Sequence, residues 1–518
     1  MNRFTRAQAR RSVFLTAGFR LFSQFCTFAS YVVLVRALSE HDFGILNLLY
    51  AVIPVISTAA SFGIEQTLRR FQPEYLKAGN PGVAHLLLRL ASRVRLGSNL
   101  LLLGLLWLLW RWVAPWFGLA PYRSEFTVFA VLILLHFQAS IVRISLSSHM
   151  LQGFAVGFTI LLSLTKLLAY AFLAWSGQLT LLAAICTDLA GYTLMYVALR
   201  VAHAWYCADT ARDTTHTFEP DERRRLLRYA AFNNFNDAGT VLLTSKSDTF
   251  FIAALMSTVA VGAYAFYTRL NEMVSLLLPT RQLGEVIQPL FFSVLATEAR
   301  DKVPRYFTLL LNASFAVQLP LTIYAVAYHS EIVDVVFDGK FRQWSWLLPV
   351  VAGFSALNRI AEPVTLVAQQ QERAKLIFLS KAFGLYNAAA ILILTPLMGL
   401  LGVACATGSA QLMKNLFIWW HVRSIARWLN ARQAIAMNLI VGGGAILICL
   451  GVKQALALPS IAHLLFGGLV CLAAAYLYLR SPAISGADRD LLGSVFSGRE
   501  RHLLSWIGVR PARTEGAS

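Results

Sequence analysis

Apolar residues run through this chain in stretches of about 20, the length a helix needs to cross the hydrocarbon core of a bilayer. Short polar breaks separate them. The pattern predicts about fourteen membrane-spanning helices. Six lie near 13–36, 43–65, 86–112, 125–147, 155–176 and 179–203, and six more near 226–254, 259–285, 304–327, 344–369, 374–396 and 401–424. A last pair falls near 433–452 and 459–480.

One design occurs twice. VVLVRALSEHDFGILNLLY (Val32 to Tyr50) reads as a helix end, a polar turn from Ser39 to Asp42, and a new helix from Phe43-Gly44. FIAALMSTVAVGAYAFY (Phe251 to Tyr267) repeats it, with Ser257 in the place of Ser39 and Gly262 in that of Gly44. Gln72-Pro73 returns as Gln288-Pro289, Gly118 as Gly339, and Leu164-Thr165-Lys166 as Leu379-Ser380-Lys381. A repeat this long signals two homologous halves, not a solenoid. The expected organisation is a six-helix bundle over 1–203, a linker over 204–225, a second bundle over 226–425, two additional helices over 426–480 and a tail over 481–518.

Composition agrees with the pattern. Hydrophobic residues make up 57% of the 518 and charged ones 14%, where a soluble domain carries about a quarter. The chain is an all-α polytopic membrane protein. Its net charge of +19 has two natural homes: cytoplasmic ends of helices, where cations fix topology, and the bundle interior, where each needs a reason. No basic run interleaved with aromatics points to nucleic acid. Cations crowd the even-numbered connections: Arg69, Arg70, Lys77, Arg89, Arg93 and Arg95; then Arg223, Arg224, Arg225 and Arg228; then Arg300, Lys302 and Arg305; then Arg423, Arg427 and Arg432. The odd connections are short and poor in cations, so both termini are expected in the cytoplasm. Behind Arg3, Arg6, Arg10 and Arg11 the apolar run reaches Leu38 with no small-residue cleavage site, which predicts an uncleaved first helix. Cys26, Cys186, Cys405, Cys449 and Cys471 lie in apolar segments and Cys207 in a loop, without metal-ligand spacing or a disulfide framework.

Candidate chemistry sits where polarity is expensive, inside the spans. The cations there are Arg20, Arg143, Lys166, Lys246, Arg269, Arg359, Lys381 and Lys414; the anions are Asp188, Asp237, Asp248, Glu272 and Glu362. The last two spans hold only His463, which predicts a twelve-helix core around a hydrated cavity with that pair packed outside. Two roles remain open for Arg269/Glu272 and Arg359/Glu362, whose i,i+3 spacing allows neutralisation on one helix face. Lys246 and Asp248 near the outer end, and Arg20 and Arg143 near the inner end, either snorkel or face the cavity. Lys166, Lys381 and Lys414 have no partner on their own helices and are expected to line it. Asp237, among Asn233, Asn234 and Asn236, is a candidate for binding a proton or cation. No Walker A motif is present, and Glu331, Asp334 and Asp338 in the second large outer loop follow no metal-like pattern, so no enzyme or cofactor is expected.

RALSEHDFGILNLLYAVIPVIS followed by FGIEQTLRRFQPEY resembles the first hairpin and exit of the polysaccharide transporter family, the O-antigen-type lipid-linked oligosaccharide flippases. SDTFFIAALMSTVAVGAYAFYTRL and HSEIVDVVFDGKF carry the resemblance into the second half. It implies membership of the multidrug/oligosaccharidyl-lipid/polysaccharide exporter superfamily: two six-helix bundles forming a V-shaped cavity, two extra helices, and alternating access in a bacterial inner membrane. The implied substrate is an undecaprenyl-pyrophosphate-linked repeat unit, surrounded by membrane lipids, with a polymerase and a chain-length regulator of the same pathway as partners. A cation-coupled drug antiporter, a peptidoglycan-precursor flippase and, from a different class, a membrane-embedded polymerase are the rival expectations. Excess cations among the interior charges weigh against the antiporter.

Overall fold

The computed structural model describes residues 6–149, 151–207, 218–241, 243–275, 303–359, 364–365, 367–368, 373–423, 429–486 and 489. Among these residues there is no strand. In chain order the helices are α1 (Arg6–Ala37), α2 (Glu40–Ala59), α3 (Ile64–Lys77), α4 (Pro81–Leu108), α5 (Trp110–Val113), α6 (Arg123–Ser148), α7 (Gln152–Trp175), α8 (Leu181–Tyr206), α9 (Pro220–Val241), α10 (Ser245–Leu255) and α11 (Thr258–Ser275). They continue as α12 (Val303–Ala327), α13 (His329–Phe337), α14 (Leu347–Arg359), α15 (Ala374–Leu379), α16 (Phe383–Met398), α17 (Leu400–Val422), α18 (Leu429–Ala455) and α19 (Ser460–Arg480).

Eight of the described helical segments are long and apolar enough to cross a membrane, or nine if Pro81–Leu108 and Trp110–Phe117, bent by 60°, form one span. The expected spans 259–285 and 344–369 run into residues outside those described. The expected span 226–254 is not one helix: α9 ends at Val241, and α10 starts after the extended N-cap Thr244. Polar side chains explain the break. The Ser247 hydroxyl donates to the Thr244 carbonyl at 2.8 Å, offering the backbone a local alternative to helix. A second correction concerns the first turn. Ser39 is extended and its hydroxyl accepts from the Asp42 amide at 3.0 Å, so α2 already starts at Glu40. Glu40 and Asp42 then sit in the first turn, where the helix dipole favours anions.

The chain divides into two compact units. One comprises Met1–Phe266 with Gly384–Val403, the other Tyr267–Phe383 with Ala404–Ser518. In the first, α3, α4, α6 and α9 share a core that includes Leu68, Phe71, Leu87, Ile141 and Leu226. In the second, α12 is the centre: Leu311, Phe315, Leu319 and Ile323 pack with Cys449 of α18 and Cys471 and Tyr478 of α19. Polar ties fix that seam. Tyr478 donates to the Asn312 side chain at 2.7 Å, Asn312 donates to the Ala483 carbonyl at 2.8 Å, and Tyr324 donates to the Leu464 carbonyl at 2.7 Å. Large apolar side chains also point outward, among them Leu101, Trp175 and Leu472. Such exposure is ordinary where the solvent is lipid and unusual where it is water.

Candidate functional site

Three buried nodes built on charged side chains lie among the described residues of the first unit. In the first, Lys166 and Tyr170 stand one turn apart on α7 and so share a face. Both reach Asp188 of α8: Lys166 Nζ lies 2.6 Å from Oδ1, and the Tyr170 hydroxyl donates to the same oxygen. The Asp188 side chain is 1% exposed and that of Lys166 is 23% exposed, so the pair is held in protein rather than in lipid. Gly191, one turn beyond Asp188, leaves room for Leu162 and the Lys166 stem. Sequence spacing offered Lys166 no obvious partner on its own helix; the neighbouring helix supplies Asp188.

Asp248 forms the second node and is fully buried. Tyr264 of α11 donates to one of its oxygens at 2.7 Å and Asn387 of α16 to the other at 3.1 Å. It is therefore packed inside the unit, whereas Lys246, on the same first turn of α10, is half-buried.

The third node was assigned differently from sequence. Arg95 was placed among loop cations, but it lies within α4 with none of its surface exposed. Nη1 donates to the Ser57 carbonyl at 3.0 Å, Nη2 lies 3.6 Å from Glu65 Oε1, and the guanidinium carbon sits 4.0 Å from the Phe137 ring centroid. Asn99, one turn further, is equally buried. The pattern Arg95, Ser98, Asn99 inside an apolar helix was the available signal, masked by the neighbouring Arg89 and Arg93.

In the second unit Arg359 is buried at the end of α14. It donates to Ser275 at 2.7 Å, to Gln318 at 3.3 Å and to Ser355 at 3.3 Å. Arg269 and Glu272 pair at 3.3 Å along one helix face, as their spacing allows. Lys381 stands in a short 3-10 turn, Ser380–Ala382, whereas its sequence counterpart Lys166 is inside a regular helix. Lys414 is half-buried on α17, and no hydrogen bond or ion pair joins it to another described residue. Arg143 is exposed on α6. The side chains of Arg20 and Asp237, and all of Glu362, lie outside the described residues.

One further pair escaped the sequence. Helix α18 continues past its apolar run, so Lys453 belongs to it and meets Glu331 of α13 at 2.6 Å. His463 is thus not the single ionisable group of the last two helices. Burial alone would raise the Glu331 carboxyl, but hydrogen bonds from Lys453 and Ser330 and its own backbone amide hold it below the ordinary carboxylate range.

A family model described as a polysaccharide biosynthesis protein matches residues 9–294, more than half of the chain. Among curated proteins none matches. A solved structure of the lipid II flippase MurJ, in an inward closed conformation, is similar with a TM-score of 0.66 at 14% identity, over 90% of this chain and 99% of that one. An inward-facing multidrug resistance MATE family transporter of the MOP superfamily gives 0.64 at 11% identity, over 78% and 94%. A bent MATE structure gives 0.55 at 12%, over 80% and 95%. At these identities the likeness shows the fold alone. The chain belongs to the polysaccharide biosynthesis protein family and carries the all-helical fold of the MOP-superfamily transporters.

Proposed function

We propose that this protein is a flippase that moves an anionic undecaprenyl-pyrophosphate-linked oligosaccharide repeat unit across the bacterial inner membrane by alternating access, with both termini in the cytoplasm. The observation that carries the substrate class is Lys414, a half-buried cation within an apolar helix that has no counter-charge among the described residues. An ammonium at membrane depth costs about 2.5–3.5 kcal/mol on insertion scales, and such groups are retained where they meet a partner or a watery path. A diphosphate supplies the missing partner. Its head needs cations while crossing, and its polyprenyl tail stays in lipid throughout.

Arg359 is a second interior cation of the same unit, its guanidinium oriented by Ser275, Gln318 and Ser355. The polysaccharide biosynthesis family supports a glycan. A lipid II flippase, MurJ, shares the fold, so a lipid-linked glycan is compatible with this architecture. Transport then requires two states that expose these cations to opposite leaflets, with substrate shifting their balance. A strain lacking the protein should accumulate complete lipid-linked repeat units on the inner leaflet and lose surface polysaccharide. Normal translocation with failed polymerisation would instead favour an enzyme.

A further inference from the structure

A second cationic feature lies apart from the buried charged side chains of both units. Helix α3 is amphipathic: Thr67, Leu68, Phe71, Gln72 and Tyr75 are buried, while Arg69, Arg70 and Lys77 are exposed. It follows α2, which is long and apolar enough to cross a membrane, after a break of a few residues, and a charged helix in that position suits a membrane surface. Gly63 makes that turn possible. Its φ of +67° is the left-handed conformation, and a Cβ there would overlap the Ala230 carbonyl of α9. The first turns of α9 are thereby brought beside α3, with Leu226 buried in the core the two helices share.

Between them is a cavity of about 620 Å³, lined by Arg70, Phe71, Asp221, Arg224, Arg225, Arg228 and Tyr229. Its floor is aromatic: the Phe71 and Tyr229 rings meet edge-on at 5.2 Å, and the Arg225 guanidinium carbon sits 4.8 Å from the Phe71 centroid. Glu74 engages Arg70 at 2.8 Å and Arg225 at 3.1 Å, which fixes those two. Arg224 and Arg228 have no ion pair or hydrogen bond to another described residue, and both are exposed. Asp221 is the one acid among the lining residues.

We infer that this α3–α9 cavity binds a phosphate group presented at the membrane surface. Guanidinium groups converging from two helices match the several acceptor oxygens of a phosphate, and their planar forks bind it bidentately. The volume is far larger than a free phosphate needs and is in the range of cavities that hold whole small molecules, which leaves room for what the phosphate is attached to. Basic pockets beside membrane helices are suited to anionic headgroups. The source is either an anionic phospholipid or a diphosphate, and the inference stands whether or not the transported substrate is a lipid-linked glycan.

The test uses the purified full chain in an uncharged detergent, titrated by calorimetry. The probes are water-soluble dihexanoyl phosphatidylglycerol, its phosphatidylcholine counterpart, and inorganic diphosphate. Binding of phosphatidylglycerol but not phosphatidylcholine or diphosphate assigns a lipid headgroup; binding of diphosphate alone assigns a diphosphate; binding of both assigns the shared phosphate. In each case the double variant Arg224→Gln/Arg228→Gln should bind about tenfold or more weakly, because each surface arginine contributes roughly 1 kcal/mol toward an anionic headgroup. Arg224→Lys/Arg228→Lys should fall between that variant and the wild type. Both residues are exposed and unpaired with described residues, so melting temperatures should not change. The inference is overturned if neither anionic probe binds, or if the double glutamine variant binds as well as the wild type.

Discussion

Gly44 lies so close to the Thr258 carbonyl that a Cβ at Gly44 would overlap it and stand 3.4 Å from the Gly262 amide nitrogen. Gly262 is the residue that the internal repeat pairs with Gly44. The serines of the repeat match as well: Ser39 caps α2 through the Asp42 amide, and Ser257 accepts from the Ala260 amide at 3.2 Å at the start of α11. The repeated motif therefore packs against its own copy, backbone to backbone, in the small-residue manner of membrane helices.

Gly44→Val should force these helix starts apart. Overpacking of this kind costs about 1–3 kcal/mol, and here the obstacle is backbone that cannot rotate away. Thermal unfolding in detergent should show a lower midpoint for this variant, whereas Gly104→Val, at a position with open space around it, should melt as the wild type does. Equal midpoints for the two would contradict the close approach.

The Lys166–Asp188 pair makes a different prediction for each single and double change. Removing one member of a buried ion pair strands the other charge, at about 3–5 kcal/mol, while replacing both with apolar residues of similar size is often neutral. Asp188→Leu should therefore destabilise the fold strongly, and Lys166→Met/Asp188→Leu should recover most of the loss. A double variant no more stable than Asp188→Leu would mean that the pair is not what holds α7 to α8.

Acid should weaken the seam between α13 and α18. The Glu331 carboxyl is held below its ordinary value of 4.5 in the folded protein, so its contribution is fully present above that value and is lost as pH falls through the depressed folded one. Melting curves recorded between neutrality and about pH 3 should lose midpoint below about pH 4.5. Glu331→Gln should start lower at neutral pH and change less over that interval. A variant with the wild-type slope would remove Glu331–Lys453 from the account.

The fold was legible because lipid imposes a long apolar period that few other constraints can mimic. Charge pairing was not. Spacing along one helix found Arg269/Glu272, where both partners share a face. It could not find Lys166–Asp188 or Glu331–Lys453, whose partners stand on different helices. Arg95 was misplaced for a related reason: three arginines within two turns look like a loop cluster, although only a fully buried one can meet Glu65 and Phe137. The break after Val241 was hidden by the apolar runs that flank it, up to Leu243 and again from Phe250.

The most direct test of the central claim is flipping in proteoliposomes that contain only this protein and a fluorescent polyprenyl-diphosphate-linked oligosaccharide, with exposure of the glycan read by an impermeant glycosidase. The account predicts protein-dependent loss of the protected pool. It also predicts that Lys414→Ala, folded to the same extent, slows that loss about tenfold, the scale of one hydrogen bond to a charged group. An unchanged protected pool with the wild-type protein, alongside transport of a lipophilic drug cation by the same vesicles, would contradict it.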